Sequence, residues 1–248
     1  MSRPAPRPAA IRAQLAMELR LTSRRAENLL AIAVIPAVVL VFFSSTPVLA
    51  IPDAPAVDFL LPGTLALAVV AAGLVNLGIA TAYERSYGVL KRLGGSPLGR
   101  DGLVIAKTGA VGAIVVLQVV LLSTVAAMLG WQAGPGVSPA LLIVALILGT
   151  LTFAGLGLLM AGTLRAEATL ALANGLFVAA LLLGGIVVPV ADLPGPLAGF
   201  AGILPVAALS EALRVGLGGA GDAARALVVL VAWGAAANLA AIRWFRWD

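Results

Sequence analysis

The sequence predicts an all-α integral membrane protein with six transmembrane helices, an N-terminal interfacial helix, a short amphipathic helix between the second and third spans, and a re-entrant hairpin before the last span. Three observations carry this. Of 248 residues, 61% are hydrophobic and 11% are charged, whereas a soluble domain carries about 25% charged residues. The charges are bunched between six long uncharged runs, each near the roughly 20 residues that a bilayer requires. Finally, 14 of the 16 Lys and Arg residues fall in segments that alternate with the other loops, which is the asymmetry of the positive-inside rule.

The net charge of +5 therefore sets topology and does not point to a nucleic-acid partner. The chain has no cysteine and no histidine. Thiolate catalysis, haem ligation through His or Cys and Ser-His hydrolysis all need one of them, and no metal site is expected.

Residues 1–28 are polar and arginine-rich, so the N-terminus reads as a cytoplasmic segment and not as a cleavable signal. Residues 29–248 then form the membrane domain. Within 11–25, Ile11, Leu15 and Leu19 make a narrow apolar stripe opposite Arg20 and Arg24, which suits an interfacial helix or an anchor to acidic lipid. The first run, 29–45, holds Pro36, a residue that kinks a helix unless neighbours re-satisfy the freed carbonyl. A proline-rich connection with Pro47, Pro52, Pro55, Asp53 and Asp58 follows and reads as external.

The second run is 59–82 and the third is 108–131, entered through Lys107, whose ammonium is expected to snorkel to the interface. Glu84, Arg85, Lys91, Arg92, Arg100 and Asp101 lie between them and mark a cytoplasmic loop. The fourth run, 139–164, turns through Arg165 and Glu167 into the fifth, 168–191. Residues 193–210 are uncharged but hold Pro194, Pro196, Pro205, Gly195, Gly199 and Gly202. Their length suits a span, while their proline and glycine content suits two short helices that dip in and return, covered by protein or water. A crossing here would put Arg243 and Arg246, after the last run at 226–242, outside. The hairpin reading keeps both termini in the cytoplasm.

Read as one helix, residues 83–93 place Tyr83, Ser86, Tyr87, Leu90 and Leu93 on one side, and Glu84, Arg85, Gly88, Lys91 and Arg92 on the other. Such a helix either lies on headgroups as an extension of the second span or docks a soluble partner. Asn76, Gln118, Asn174 and Asn238 are single polar residues within the runs. They either make interhelical hydrogen bonds or line a substrate path, for which Asn76, Gln118 and Asn174 are the candidates. Gly219-Ala220-Gly221-Asp222 matches the text of an aspartyl-protease motif, but it sits in a glycine-rich loop with no second intramembrane aspartate. No Gly-x-x-x-x-Gly-Lys-Ser/Thr loop is present to cradle nucleotide phosphates.

The order Glu84-Arg85-x-x-Gly88-x-Leu90-x-x-Leu93-x-x-Ser96-Pro97-Leu98 resembles the cytoplasmic loop of type-2 ABC exporter permeases. Later, Gly184-Gly185-Ile186, Pro189, Asp192-Leu193-Pro194, Leu204-Pro205 and Glu211-Ala212-Leu213-Arg214 resemble that family's pattern before its last span. The resemblance implies that Tyr83, Glu84, Arg85, Tyr87, Gly88, Leu90, Leu93 and Pro97 form an ATPase-coupling element. It also implies that Pro189, Asp192, Pro194, Pro205, Glu211 and Arg214 belong to external re-entrant helices. It further implies a homo- or heterodimer of permeases in the bacterial cytoplasmic membrane, moving a drug, lipid or lipid-linked glycan outward. Two ABC ATPase subunits would hold ATP and magnesium, and this chain would bind no cofactor and carry out no catalysis of its own. The alternative from residues alone is a secondary transporter or flippase that needs no ATPase.

Overall fold

The computed structural model describes residues 6–24, 26–46, 55–95 and 98–246. The proline-rich connection at 47–54 and Pro97 lie outside them. Among the described residues the regular structure is helical. Helix α1 (Arg7–Arg24) precedes α2 (Ala26–Ser45), and α3 (Ala56–Val70) continues through a π-helical segment (Ala71–Asn76) into α4 (Leu77–Ser86). The short α5 (Val89–Gly94) leads to the long α6 (Gly99–Met128), then α7 (Pro139–Thr163) and α8 (Ala166–Leu183). The hairpin is α9 (Gly195–Ala201) and α10 (Pro205–Gly216), and α11 (Ala223–Trp244) ends the bundle.

Five of these units are long and apolar enough to cross a membrane: Ala56–Ser86, Asp101–Met128, Pro139–Thr163, Ala166–Leu183 and Ala223–Trp244. Helix α2 has 20 residues, about 30 Å at 1.5 Å per residue, and its segment Val34–Ser45 is a shorter apolar helix. Helices α9 and α10 have 7 and 12 residues, so neither alone covers the hydrocarbon core, and they meet at a bend of 80°.

The hairpin reading holds, because both its ends lie at one end of the bundle. The chain enters it beside Gly185, whose carbonyl accepts from Arg214 at 3.1 Å. Arg214 also donates to Phe59 O, near the start of α3, at 3.3 Å. The last residue of α10, Gly216, accepts from the backbone N–H of Ser138, just before α7, at 2.8 Å. Nearly all of α10 is buried, from Pro205 through Leu213, so the returning arm of the hairpin is covered by protein, while α9 and the bend at Ile203 are largely exposed. Pro205 opens α10 where an N–H has no helical acceptor.

The opposite end gathers Glu84, Lys107, Leu164 and the C-terminal residues, where Arg246 N–H donates to Gly162 O at 3.1 Å. Helix α7 runs through the middle of the bundle, packed on α4, α6, α10 and α11. Without water to drive apolar association, such contacts rest on close van der Waals fit. The tightest involves Gly157 of α7, where a Cβ would lie 2.4 Å from Gly73 O in the π segment.

Several expectations are corrected. The fifth span ends at Leu183, not 191, because Gly184 caps it and Gly185 adopts φ +66°, so the excursion toward the hairpin begins there. The helix expected over 83–93 is two helices, broken at Gly88, where φ is +71°. On α1 the half-buried stripe is Ile11, Leu15, Glu18 and Thr22, at steps of four, three and four, while Leu19 is 36% exposed. Strict steps of four drift around a helix of 3.6 residues per turn. Ile11 and Leu15 lie against α6 at Gly102 and Gly109.

Candidate coupling site at the basic end of the bundle

Helix α6 starts nine residues before the expected third span, and this changes the environment of Lys107. Its helical register continues the buried row of Leu103, Ala110, Val111 and Ile114, so Lys107 points into the bundle. It is 1% exposed and does not snorkel. Its Nζ lies 2.8 Å from Glu84 Oε2 at the end of α4 and 2.8 Å from Glu18 Oε1 on α1. The Glu18 Oε1 atom also accepts from Gln14 Nε2 at 2.7 Å. An ammonium has three N–H donors; two meet carboxylates, and Lys107 also borders a cavity of about 40 Å³ that Asn76 and Thr22 line. That volume accommodates water.

One buried charge therefore ties α1, α4 and α6 together at the point where the chain leaves the bundle. Arg85 adds a second tie by donating from Nη2 to Leu164 O, in the tight turn between α7 and α8. Glu84 and Arg85, expected on the outward polar side of an amphipathic helix, are thus both turned into the protein. Separating α5 from α4 at Gly88 allows this, since each helix then sets its own inward face.

On α5, Leu90 is fully buried and Leu93 half-buried, so the apolar edge of this short helix is seated on the body of the protein. Tyr87 is 75% exposed, and Val89, Lys91 and Arg92 are exposed beside it. Tyr87 and Tyr83 stand with ring centroids 6.2 Å apart. A groove of about 570 Å³ runs beside this step, between Ala13, Met17 and Arg20 of α1 and Leu93 and Leu98.

The candidate path residues do not form one group. Asn76 borders the polar cavity under Lys107, and Gln118 is 2% exposed inside the bundle. Asn174 is exposed on α8 and donates back to Leu170 O at 3.0 Å. Asn238 links α11 to α7 through Leu151 O at 2.9 Å, which is the interhelical role expected of it.

At the other end, Pro189 O accepts from Asp192 N–H at 3.0 Å, Asp192 itself is exposed, and Pro194 precedes α9 as its cap. Glu211 Oε1 accepts from Asp222 N–H at 2.9 Å, joining α10 to the start of α11. The Arg214 guanidinium also stacks on Phe59, 4.2 Å from the ring centroid. Asp222, in the protease-like tetrapeptide, accepts from Arg225 N–H and caps α11. That is its structural role.

Glu18 and Lys107 were missed from the sequence as an ion pair. The signal for Lys107 was its place on the apolar row of α6; nothing local marks Glu18, which comes from a distant part of the chain.

No curated protein matches the chain. The family model for the ABC-2 type transporter matches residues 9–217, a stretch that takes in the Lys107 cluster, the α5 step and the hairpin through α10. The protein is thus a multi-pass membrane protein of the ABC-2 type transporter family, a permease subunit of an ABC transporter.

Proposed function

We propose that the chain is the membrane half of an exporter powered by a separate ABC ATPase, with the basic end in the cytoplasm. The observation that carries this is the α5 step. It presents Tyr87, Lys91 and Arg92 to solvent while Leu90 fixes it to the body, and Lys107 locks the adjoining α4 to α1 and α6. A partner that pushes on α5 would move α4, and with it the π segment and α3. Tyr83, Glu84, Arg85, Gly88, Leu90 and Leu93 transmit that push and Tyr87 meets the ATPase. ATP and magnesium stay with the partner.

The positive-inside rule orients the molecule, placing both termini in the cytoplasm of a bacterium and the hairpin outside. A second permease, identical or related, completes the pathway, with Gln118 and the open face of α8 at Asn174 as candidate lining. Among the described residues, charged side chains lie at the two ends of the bundle and form no ladder of carboxylates across it, which favours ATP over an ion gradient. An apolar pathway of this kind suits a drug, a lipid or a lipid-linked glycan.

Co-expression with ABC ATPases tests the reading. A cognate ATPase is expected to co-purify with the chain, and the double reversal Lys91→Glu, Arg92→Glu should weaken that retention by about tenfold or more, as opposed charges at an interface do. A chain that purifies alone and transports on a proton gradient would overturn it.

A further inference from the structure

Fourteen of the sixteen Lys and Arg residues follow the topological bias; the other two are Arg214 and Arg225. Topology does not account for these two, and they line one cavity. It lies under the hairpin, has a volume of about 580 Å³ and is also bounded by Ser210, Glu211 and Phe59. This size falls in the range of small-molecule sites, roughly 300–1,000 Å³.

The polar groups around it are unbalanced. Glu211, which lines the cavity, and Asp222 each accept one backbone donor, Glu211 from Asp222 N–H and Asp222 from Arg225 N–H, and the Glu211 charge offsets part of the Arg214 charge. The donors are in surplus. Arg214 has five N–H groups and makes two hydrogen bonds, to Phe59 O and Gly185 O. The exposed Arg225 has no guanidinium partner among the described residues, and Ser210, 2% exposed, has a buried hydroxyl with no hydrogen bond. Buried polar groups are normally satisfied, and a ligand rich in acceptors would satisfy this one. Beside the cavity, α9 exposes Leu197 and Phe200, with Ile203 just beyond; these suit hydrocarbon tails.

We propose that this hairpin cavity binds an acidic headgroup, a phosphate or carboxylate, held by Ser210, Arg214 and Arg225 while the attached chains rest on α9. Guanidinium groups match such oxyanions by paired, charge-assisted hydrogen bonds. Binding here needs no ATPase, so the proposal stands apart from the coupling reading and is tested on the purified full chain.

Native mass spectrometry would count phosphatidylglycerol and phosphatidylcholine retained from equal mixtures in detergent micelles. Wild type is expected to prefer phosphatidylglycerol by about tenfold, the scale of one hydrogen bond to a charged group. Arg225→Gln alone should reduce that preference, and Arg225→Gln with Ser210→Ala should abolish it at an unchanged unfolding temperature. The Arg225 guanidinium lies beside Gly202 and makes no hydrogen bond among the described residues, so the single variant remains informative even if the double one misfolds. Added inorganic phosphate separates two sources of the anion: displacement of the lipid means that free phosphate occupies the site, and persistence means that the amphiphile does. Equal retention of the two lipids by wild type, or a preference untouched in Arg225→Gln, would overturn the proposal.

Discussion

Moving an ammonium group from water into a protein interior costs several kcal/mol. At Lys107 two carboxylates at 2.8 Å offset that cost. The arrangement makes each member depend on the others. Lys107→Ala leaves Glu18 and Glu84 facing each other beside a small cavity, and should destabilise the protein by about 3–5 kcal/mol, read as a lower unfolding midpoint in detergent. The triple change Glu18→Gln, Lys107→Met, Glu84→Gln removes all three charges and should regain most of that stability. A Lys107→Ala protein as stable as wild type would show that the cluster holds nothing together. In the sequence, Lys107 was visible as a basic residue at the edge of an apolar run, and its register on the row of Leu103, Val111 and Ile114 was visible too. Its partners were not, because Glu18 lies 89 positions away in the chain and only packing of α1 on α6 brings it near.

Helix breaks decide what each element can do. Gly88 sits at φ +71°, a region that costs residues with a Cβ about 1–2 kcal/mol, and this turn lets α4 face inward while α5 presents its own outer side. Gly88→Val should therefore weaken ATPase retention and lower the unfolding temperature by only a few degrees, whereas Gly88→Asn should keep both, because asparagine tolerates left-handed backbone. Equal loss in both variants would mean that the glycine matters for some reason other than its backbone. At Gly157 the constraint is space. A Cβ 2.4 Å from Gly73 O has only backbone to displace, so Gly157→Val should reduce the yield of folded protein sharply, at an overpacking cost of about 1–3 kcal/mol or more. The existence of each span was legible from its apolar length, and the re-entrant pair from its prolines. The π segment and the break at Gly88 were not, since a lone glycine in an amphipathic stretch is compatible with a continuous helix.

For the molecule as a whole, the two ends differ in chemistry. The basic end carries the Lys107 cluster, the α5 step and the α7–α8 turn, while the hairpin end carries Arg214 and the cavity around it. A chain without cysteine makes single-cysteine labelling unambiguous. In intact cells an impermeant thiol reagent should label Asp192→Cys and Ala220→Cys but not Tyr87→Cys, which should react only after the membrane is opened. Labelling of Tyr87→Cys in intact cells would reverse the orientation, and labelling of Asp192→Cys without Ala220→Cys would mean that the hairpin spans.

The sequence by itself determined the solvent, the apolar helices that can span it, the uneven spread of basic charge between loops and the place of the bent helix pair. All of these follow from local composition, because a bilayer tests each segment for apolar length and each loop for basic residues. The family was legible through two short motifs for the same reason, since they fill loops whose local chemistry is fixed. Tertiary structure alone decided that Glu84 and Arg85 turn inward, that Lys107 joins three helices, and that the two arginines outside the topological pattern share one cavity. Those outcomes depend on which helix lies against which, and packing between distant segments leaves no period in the chain.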